Sequence, residues 1–171
     1  MSEKDTTASS TPTPAPSPME LVLQFHHTYS VPIRPFSDPT LDYERMNMRM
    51  SLIAEEFAEL MGAVYGPRAR AIIEAATAEA VAADEGERDV IEAADALADL
   101  VYVVYGMAIE SGMNLDSVLA EVQASNLSKL MPDGSVKLRE DGKVLKGPNF
   151  FQPNIARGLG LESHTDSGEA D

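Results

Sequence analysis

Between Pro39 and Pro132 the chain contains a single proline, Pro67, and nothing else in the sequence constrains the fold as strongly. A proline inside a helix removes an amide donor and clashes with the preceding turn. The long stretches on either side of Pro67 are therefore free to run as helices. The apolar residues agree: Met46, Met50, Ile53, Phe57, Leu60 and Val64 step by three or four, the spacing of one buried helical stripe. Val90, Ala94, Leu97, Val101, Val104 and Ala108 repeat the pattern further along. The expected fold is all-α, a compact helical bundle of about five helices.

The helices can be placed from their start and stop signals. A first runs from Met19 to about Tyr29, and Pro32, Pro35 and Pro39 enforce an extended link after it. A second begins at Thr40 as N-cap, with Asp42 and Glu44 in the first turn, and reaches about Met61 before Gly66-Pro67 closes it. A third covers Arg68 to about Ala83, and a fourth runs from near Arg88 to Ser111. Gly112 ends the fourth, and Asn114 caps a fifth that reaches about Leu130. Leu100 to Ile109 is apolar all round and is expected to be buried on most sides, with a second subunit completing its cover. Gly106 within it suggests a close helix contact.

After Pro132 the character changes. Ser135–Glu140 and Lys143–Lys146 flank Asp141-Gly142, the signal of a short C-terminal β-hairpin, and Gly147 to Phe151 reads as an irregular arm. Residues 1–18 form a Ser/Thr/Pro-rich tail and residues 161–171 an acidic one, neither able to bury a core. This leaves 19–160 as one domain.

The net charge of −15 repels nucleic-acid backbones and anionic membranes, so neither is expected as a partner. A phosphate substrate would need metal ions or a local group of Lys and Arg. Cysteine is absent, which excludes disulfides and thiolate metal sites. No apolar run approaches the ~20 residues of a membrane helix, and no basic start leads into an apolar stretch. A cytoplasmic location is expected.

The chemistry sits in two acidic groups. Glu55, Glu56 and Glu59 span one sector of the second helix beside its apolar stripe, and Glu92, Asp95 and Asp99 fall within roughly 60° on the fourth. Such carboxylates suit a hard cation such as Mg²⁺, which needs neither Cys nor His. The plain alternative is a pair of solvated helix faces, and the acids of the fourth helix do point away from its Val/Leu stripe. Yet no Lys or Arg lies close by on either face, and like charges three or four apart destabilise a helix. On the fourth helix the acidic sector also runs into Tyr102 and Val103 one turn on.

Here the sequence resembles a known family. Glu55-Glu56-Phe57-Ala58-Glu59, followed by Asp95-Ala96-Leu97-Ala98-Asp99 and an apolar run, is similar to the MazG-like branch of the all-α NTP pyrophosphatase superfamily, which includes dimeric dUTPases and phosphoribosyl-ATP pyrophosphohydrolases. Phe25-His26, Tyr102 to Gly106, Ala124 to Lys129 and Asp141 to Phe150 resemble it too. One departure stands out. The family pairs ExxE with ExxD, but three residues before Asp99 stands Ala96. Either Asp95 substitutes from one position earlier, or Glu92 and Asp95 form the pair with Asp99 as an extra ligand.

The resemblance implies a metal-dependent hydrolase that cleaves a nucleoside triphosphate to monophosphate and pyrophosphate. Glu55, Glu56, Glu59, Asp95 and Asp99 would hold Mg²⁺, or Mn²⁺ in its place, with Glu92 as an outer member. Glu55 or Glu56 would orient or deprotonate the attacking water. Lys129, Lys143 and Lys146 would face the phosphates, Asn126 the sugar or the metal shell, and Tyr102 the base. Lysines on a hairpin can also be mere solubilising charge, and Asn126 a surface residue. A homodimer or tetramer is implied, and dUTP or another non-standard nucleotide is the leading substrate, with phosphoribosyl-ATP next. Two rivals are weighed. A di-iron bundle needs Glu-x-x-His pairs, which the sequence lacks. A non-catalytic nucleotide-binding or scaffold protein would leave the clustered acids unexplained.

Overall fold

The structure, a computed structural model, describes residues 14–139 and 143–162. The expected tail segments 1–13 and 163–171, and the Asp141-Gly142 turn with Glu140, lie outside the described residues. Among the described residues six helices account for nearly all regular structure: α1 (Pro18–Thr28), α2 (Met46–Tyr65), α3 (Pro67–Ala82), α4 (Val90–Glu110), α5 (Leu115–Leu127) and the short α6 (Ile155–Gly158). The all-α expectation holds. The chain divides into two compact units, residues 34–103 and the segments that precede and follow them.

In the 34–103 unit, α2 packs along α3. The two are joined at Gly66, which serves both as C-cap of α2 and as N-cap of α3 at φ +96°, a conformation that side-chain-bearing residues rarely adopt. Pro67 then sits at the first position of α3, where its missing amide costs nothing. The start of α2 differs from expectation. Thr40 does not cap it: the Thr40 Oγ1 accepts from the Asp42 amide at 3.0 Å, closing a local turn, and the helix begins only at Met46.

The other unit is organised on α5. Ser17 and Glu20 form a reciprocal capping box that starts α1, with Pro18 in its first turn. α1 packs on α5. Tyr29, just after α1, is 2% exposed and donates its hydroxyl to the carbonyls of Asn126 (2.7 Å) and Leu127 (3.1 Å). Gln123 Nε2 donates in turn to the Leu21 carbonyl at 2.9 Å. Asn114 caps α5 through the Ser117 amide, as its position suggests. On the far side α6 packs against α5, and Arg157 makes a two-pronged bond to Glu121 at 2.7 and 2.6 Å.

Two expectations of burial are overturned. The α2 stripe is open: Met50, Phe57 and Val64 are each about half exposed and only Ala58 is buried. The apolar second half of α4 is open too, with Val101 at 56% and Ile109 at 75% exposure, and the space beside Gly106 is empty. The physical reason is the same for both. Within the 34–103 unit neither α2 nor α3 packs extensively along α4 among the described residues, and α3 covers only one side of α2. The β-hairpin region shows one antiparallel bridge, Leu138 to Val144, flanked by bonds from the Arg139 amide to the Lys143 carbonyl and from the Leu145 amide to the Lys137 carbonyl, both 2.8 Å.

Candidate active site

α2 carries Glu55, Glu56 and Glu59 on consecutive turns of one face, all exposed. A cation does reach this face, contrary to the sequence reading. Arg70, projecting from α3, lies 3.2 Å from the Glu59 carboxylate and 2.8 Å from that of Glu74. Spacing along a single helix does not show this contact, since Arg70 arrives because the turn at Gly66 folds α3 back beside α2. The Arg70–Glu74 pair is visible in sequence as an i,i+4 spacing; its second arm to Glu59 is not.

Glu92, Asp95 and Asp99 lie along α4 and are likewise exposed. All six carboxylates have the hard oxygen chemistry that suits Mg²⁺ or Mn²⁺. They are not, however, gathered within this single chain: among the described residues no three acidic or imidazole groups stand together as one ligand set. The absence of extended packing between α2 and α4 explains this. Tyr102, placed against a base by the sequence reading, is 80% exposed on α4. Tyr105 instead donates its hydroxyl to Asp116 at 2.8 Å.

The expected phosphate-facing residues lie in the other unit, and here the structure does bring several together. Asn126, near the end of α5, accepts through Oδ1 from Lys129 Nζ at 2.7 Å. Lys129 is half-buried, and burial pushes its ammonium below the usual lysine range, with the nearby positive charge of Lys146 adding to the effect. Lys146 itself lies over the Phe150 ring, Nζ 4.3 Å from the centroid. Lys143 is partly buried. A desolvated ammonium beside a second one is an arrangement that an anion would relieve.

Lys146 owes its place to the arm. The Gly147 amide donates to the Lys129 carbonyl at 3.0 Å, and the Phe150 amide returns to the Gly147 carbonyl at 3.1 Å, a turn with Pro148 at its first corner. The far end is fastened as well. The Phe151 amide donates to Ser128 Oγ (3.1 Å) and the Phe151 carbonyl accepts from Ser125 Oγ (2.7 Å), Ser125 being 4% exposed. The sequence reading did not single out Gly147, Ser125, Ser128 or Phe150 as contributors here. Gly147 to Phe151 was read as an irregular arm, and the structure shows a fastened turn there.

Comparison with known proteins places the chain in a family. The family model described as phosphoribosyl-ATP pyrophosphohydrolase matches residues 22–126, a span that includes both acid-bearing helices and ends at Asn126. Among solved structures the chain is similar to a crystal structure from Exiguobacterium sp. 255-15 named as a candidate NTP pyrophosphohydrolase. The two share 26% identity over 84% of this chain and 94% of that one, with a TM-score of 0.64. No curated protein matches the chain. With the family model covering well over half of its length, the chain belongs to the phosphoribosyl-ATP pyrophosphohydrolase family of the MazG-like all-α NTP pyrophosphohydrolase superfamily, and is a hydrolase of that family.

Proposed function

We propose that this chain is a Mg²⁺-dependent nucleoside triphosphate pyrophosphohydrolase that cleaves the α–β phosphoanhydride to give a nucleoside monophosphate and pyrophosphate, with dUTP or another non-standard nucleotide as its leading substrate. The observation that carries this is the family match over residues 22–126, because it runs through Glu55-Glu56-x-x-Glu59 and Asp95-x-x-x-Asp99 together. The residues that would hold the cation, Mn²⁺ being an acceptable substitute, are Glu55, Glu56, Glu59, Asp95 and Asp99, with Glu92 outside them. Bound there, the cation supplies charge neutralisation for the polyphosphate.

The chain's own residues then divide the remaining work. Glu55 or Glu56 orients a water for in-line attack on the α-phosphorus and takes its proton. Pyrophosphate leaves with the electrons of the broken P–O bond. Lys129, Lys143 and Lys146 face the phosphates as point charges. Asn126 contacts the sugar or the metal shell, and Tyr102 offers a ring to the base. Homodimerisation, or assembly to a tetramer, covers the open stripes of α2 and α4 and draws further carboxylates toward Glu55, Glu56 and Glu59. The cytoplasm is the expected site of action, and the hairpin completes the arm's approach to α5.

A second substrate, phosphoribosyl-ATP, is favoured by the description of the family model itself. A non-catalytic nucleotide-binding role is the remaining alternative. The test is a pyrophosphate-release assay across dUTP, phosphoribosyl-ATP and the common NTPs and dNTPs, with and without Mg²⁺, alongside Glu56→Gln. Metal-dependent release that the variant loses by about 100-fold or more, the scale of a missing general base, is the expected result, and the substrate ranking names the nucleotide. No turnover on any of them would move the reading to the binding protein.

A further inference from the structure

Lys146 belongs to an arm that meets the end of α5 at the Lys129 carbonyl and at Ser125 and Ser128, and its charge stands near that of Lys129. Gly147 is the point where the approach is tightest. The residue is buried, its amide bonds the Lys129 carbonyl, and a Cβ built on it would stand 2.4 Å from the Leu130 carbonyl oxygen and 3.0 Å from that of Lys129. Real Cβ atoms do not come that near to backbone oxygen. The atoms in the way are main chain, not the ends of flexible side chains, so they cannot swing aside. Any other residue here would push the arm off the end of α5.

We propose that Gly147 is a positioning residue for the polyphosphate: the close approach that only glycine allows sets Lys146 beside Lys129 and Asn126, so that two ammonium groups face one anion. This rests on reading Lys129 and Lys146 as phosphate ligands. The fastening of the same turn at Phe151 by Ser128, and of Phe151 by Ser125, restrains its other end. Lys146 is held on one side by the bond from the Leu145 amide to the Lys137 carbonyl and on the other by that from the Gly147 amide to the Lys129 carbonyl, and its Nζ rests over Phe150 within the turn itself. Gly147 does not touch the anion; it acts through Lys146.

The experiment is a calorimetric titration of the full chain with inorganic triphosphate in the presence of Mg²⁺, on wild type, Lys146→Ala, Gly147→Ala and the double variant. Lys146→Ala should weaken binding about tenfold, the scale of one charge-assisted contact. Gly147→Ala should weaken it similarly. The double variant should bind no more weakly than Lys146→Ala alone, because the glycine has nothing left to position. A general structural role would instead give additive losses, and additive losses or an unaffected Gly147→Ala would overturn the proposal while leaving Lys146 a ligand. An unaffected Lys146→Ala would sink the phosphate reading and the proposal with it. If Gly147→Ala does not fold, Ser128→Ala, which releases the other end of the turn, takes its place in the same cycle with the same expected and overturning results.

Discussion

Asp84 and Arg88 stand four apart in the loop before α4, and their contact is two-pronged: the Arg88 guanidinium reaches both Asp84 carboxylate oxygens at 2.8 and 2.7 Å. That bond, with the Gly86 amide second, holds the Asp84 carboxyl at about 2 against an ordinary 3.8. A carboxylate depressed in the folded state favours folding above its ordinary value and loses that contribution as pH falls through the folded one. The loop is thus most secure above pH 3.8 and is released toward pH 2. A carboxyl-detected NMR titration should place the Asp84 midpoint near 2 in wild type and return it toward 3.8 in Arg88→Ala. Lys129 presents the opposite sign. Burial disfavours its ammonium and Lys146 adds to this, so the strain is present at neutral pH and eases as pH rises through the folded value. Lys146→Ala should raise the Lys129 midpoint without restoring the ordinary lysine value, since burial is the larger cause. An Nζ-detected titration showing no upward movement would separate the two lysines. Asn126 and Lys129 were named for separate roles, and they meet just past the end of α5, three residues apart. Lys146 enters their company through a docked turn, which no local pattern encodes.

Elements were legible where a single local device sets them. Asn114 bonds the Ser117 amide at 3.2 Å and starts α5, and Gly66-Pro67 divides α2 from α3. Asn114→Ala should cost about 1 kcal/mol, and with it about 2–4 °C in Tm for a chain of this size, measurable by thermal unfolding. The device failed at Thr40, because a threonine hydroxyl can serve an amide two residues on as readily as a helix start, and here the local turn won. Ser17, the N-cap of α1, lay in the segment read as tail, its Ser/Pro composition masking the start signal that it forms with Glu20. α6 was too short for periodicity to show. In the same way the candidate acids could be assigned to helix faces from spacing alone. Whether those faces meet depends on how helices pack, and Arg70 meeting Glu59 across α2 and α3 was invisible for that reason.

At the scale of the whole molecule the open apolar surface is the dominant fact. Among the described residues Tyr29 is the one large side chain that is buried, and the exposed set includes Phe57 and Leu60 on α2 and Leu97, Val101 and Val104 on α4. They belong to the stripes that the 3–4 spacing marked as core, and within one chain they are open. Soluble monomers rarely leave contiguous patches of this kind in water, and their removal is the main driving force for association. A second copy offers the same stripe, and the shared surface would be self-complementary about a two-fold axis. The protein should therefore sediment at no less than twice its chain mass of 18.4 kDa at micromolar concentration. Val101→Asp, placing a charge in the α4 stripe, should shift it toward the monomer and lower Tm. If the proposed Mg²⁺ site is shared between chains, saturating Mg²⁺ should stabilise the wild type by about 2.7 kcal/mol at a hundredfold excess over Kd, and the same variant should lose that gain. Sedimentation and thermal unfolding with and without Mg²⁺, run on both proteins, measure the two effects together. A wild type that stays monomeric yet gains stability from the metal would show that one chain closes its own site, with α2 and α4 folding onto each other when the cation binds.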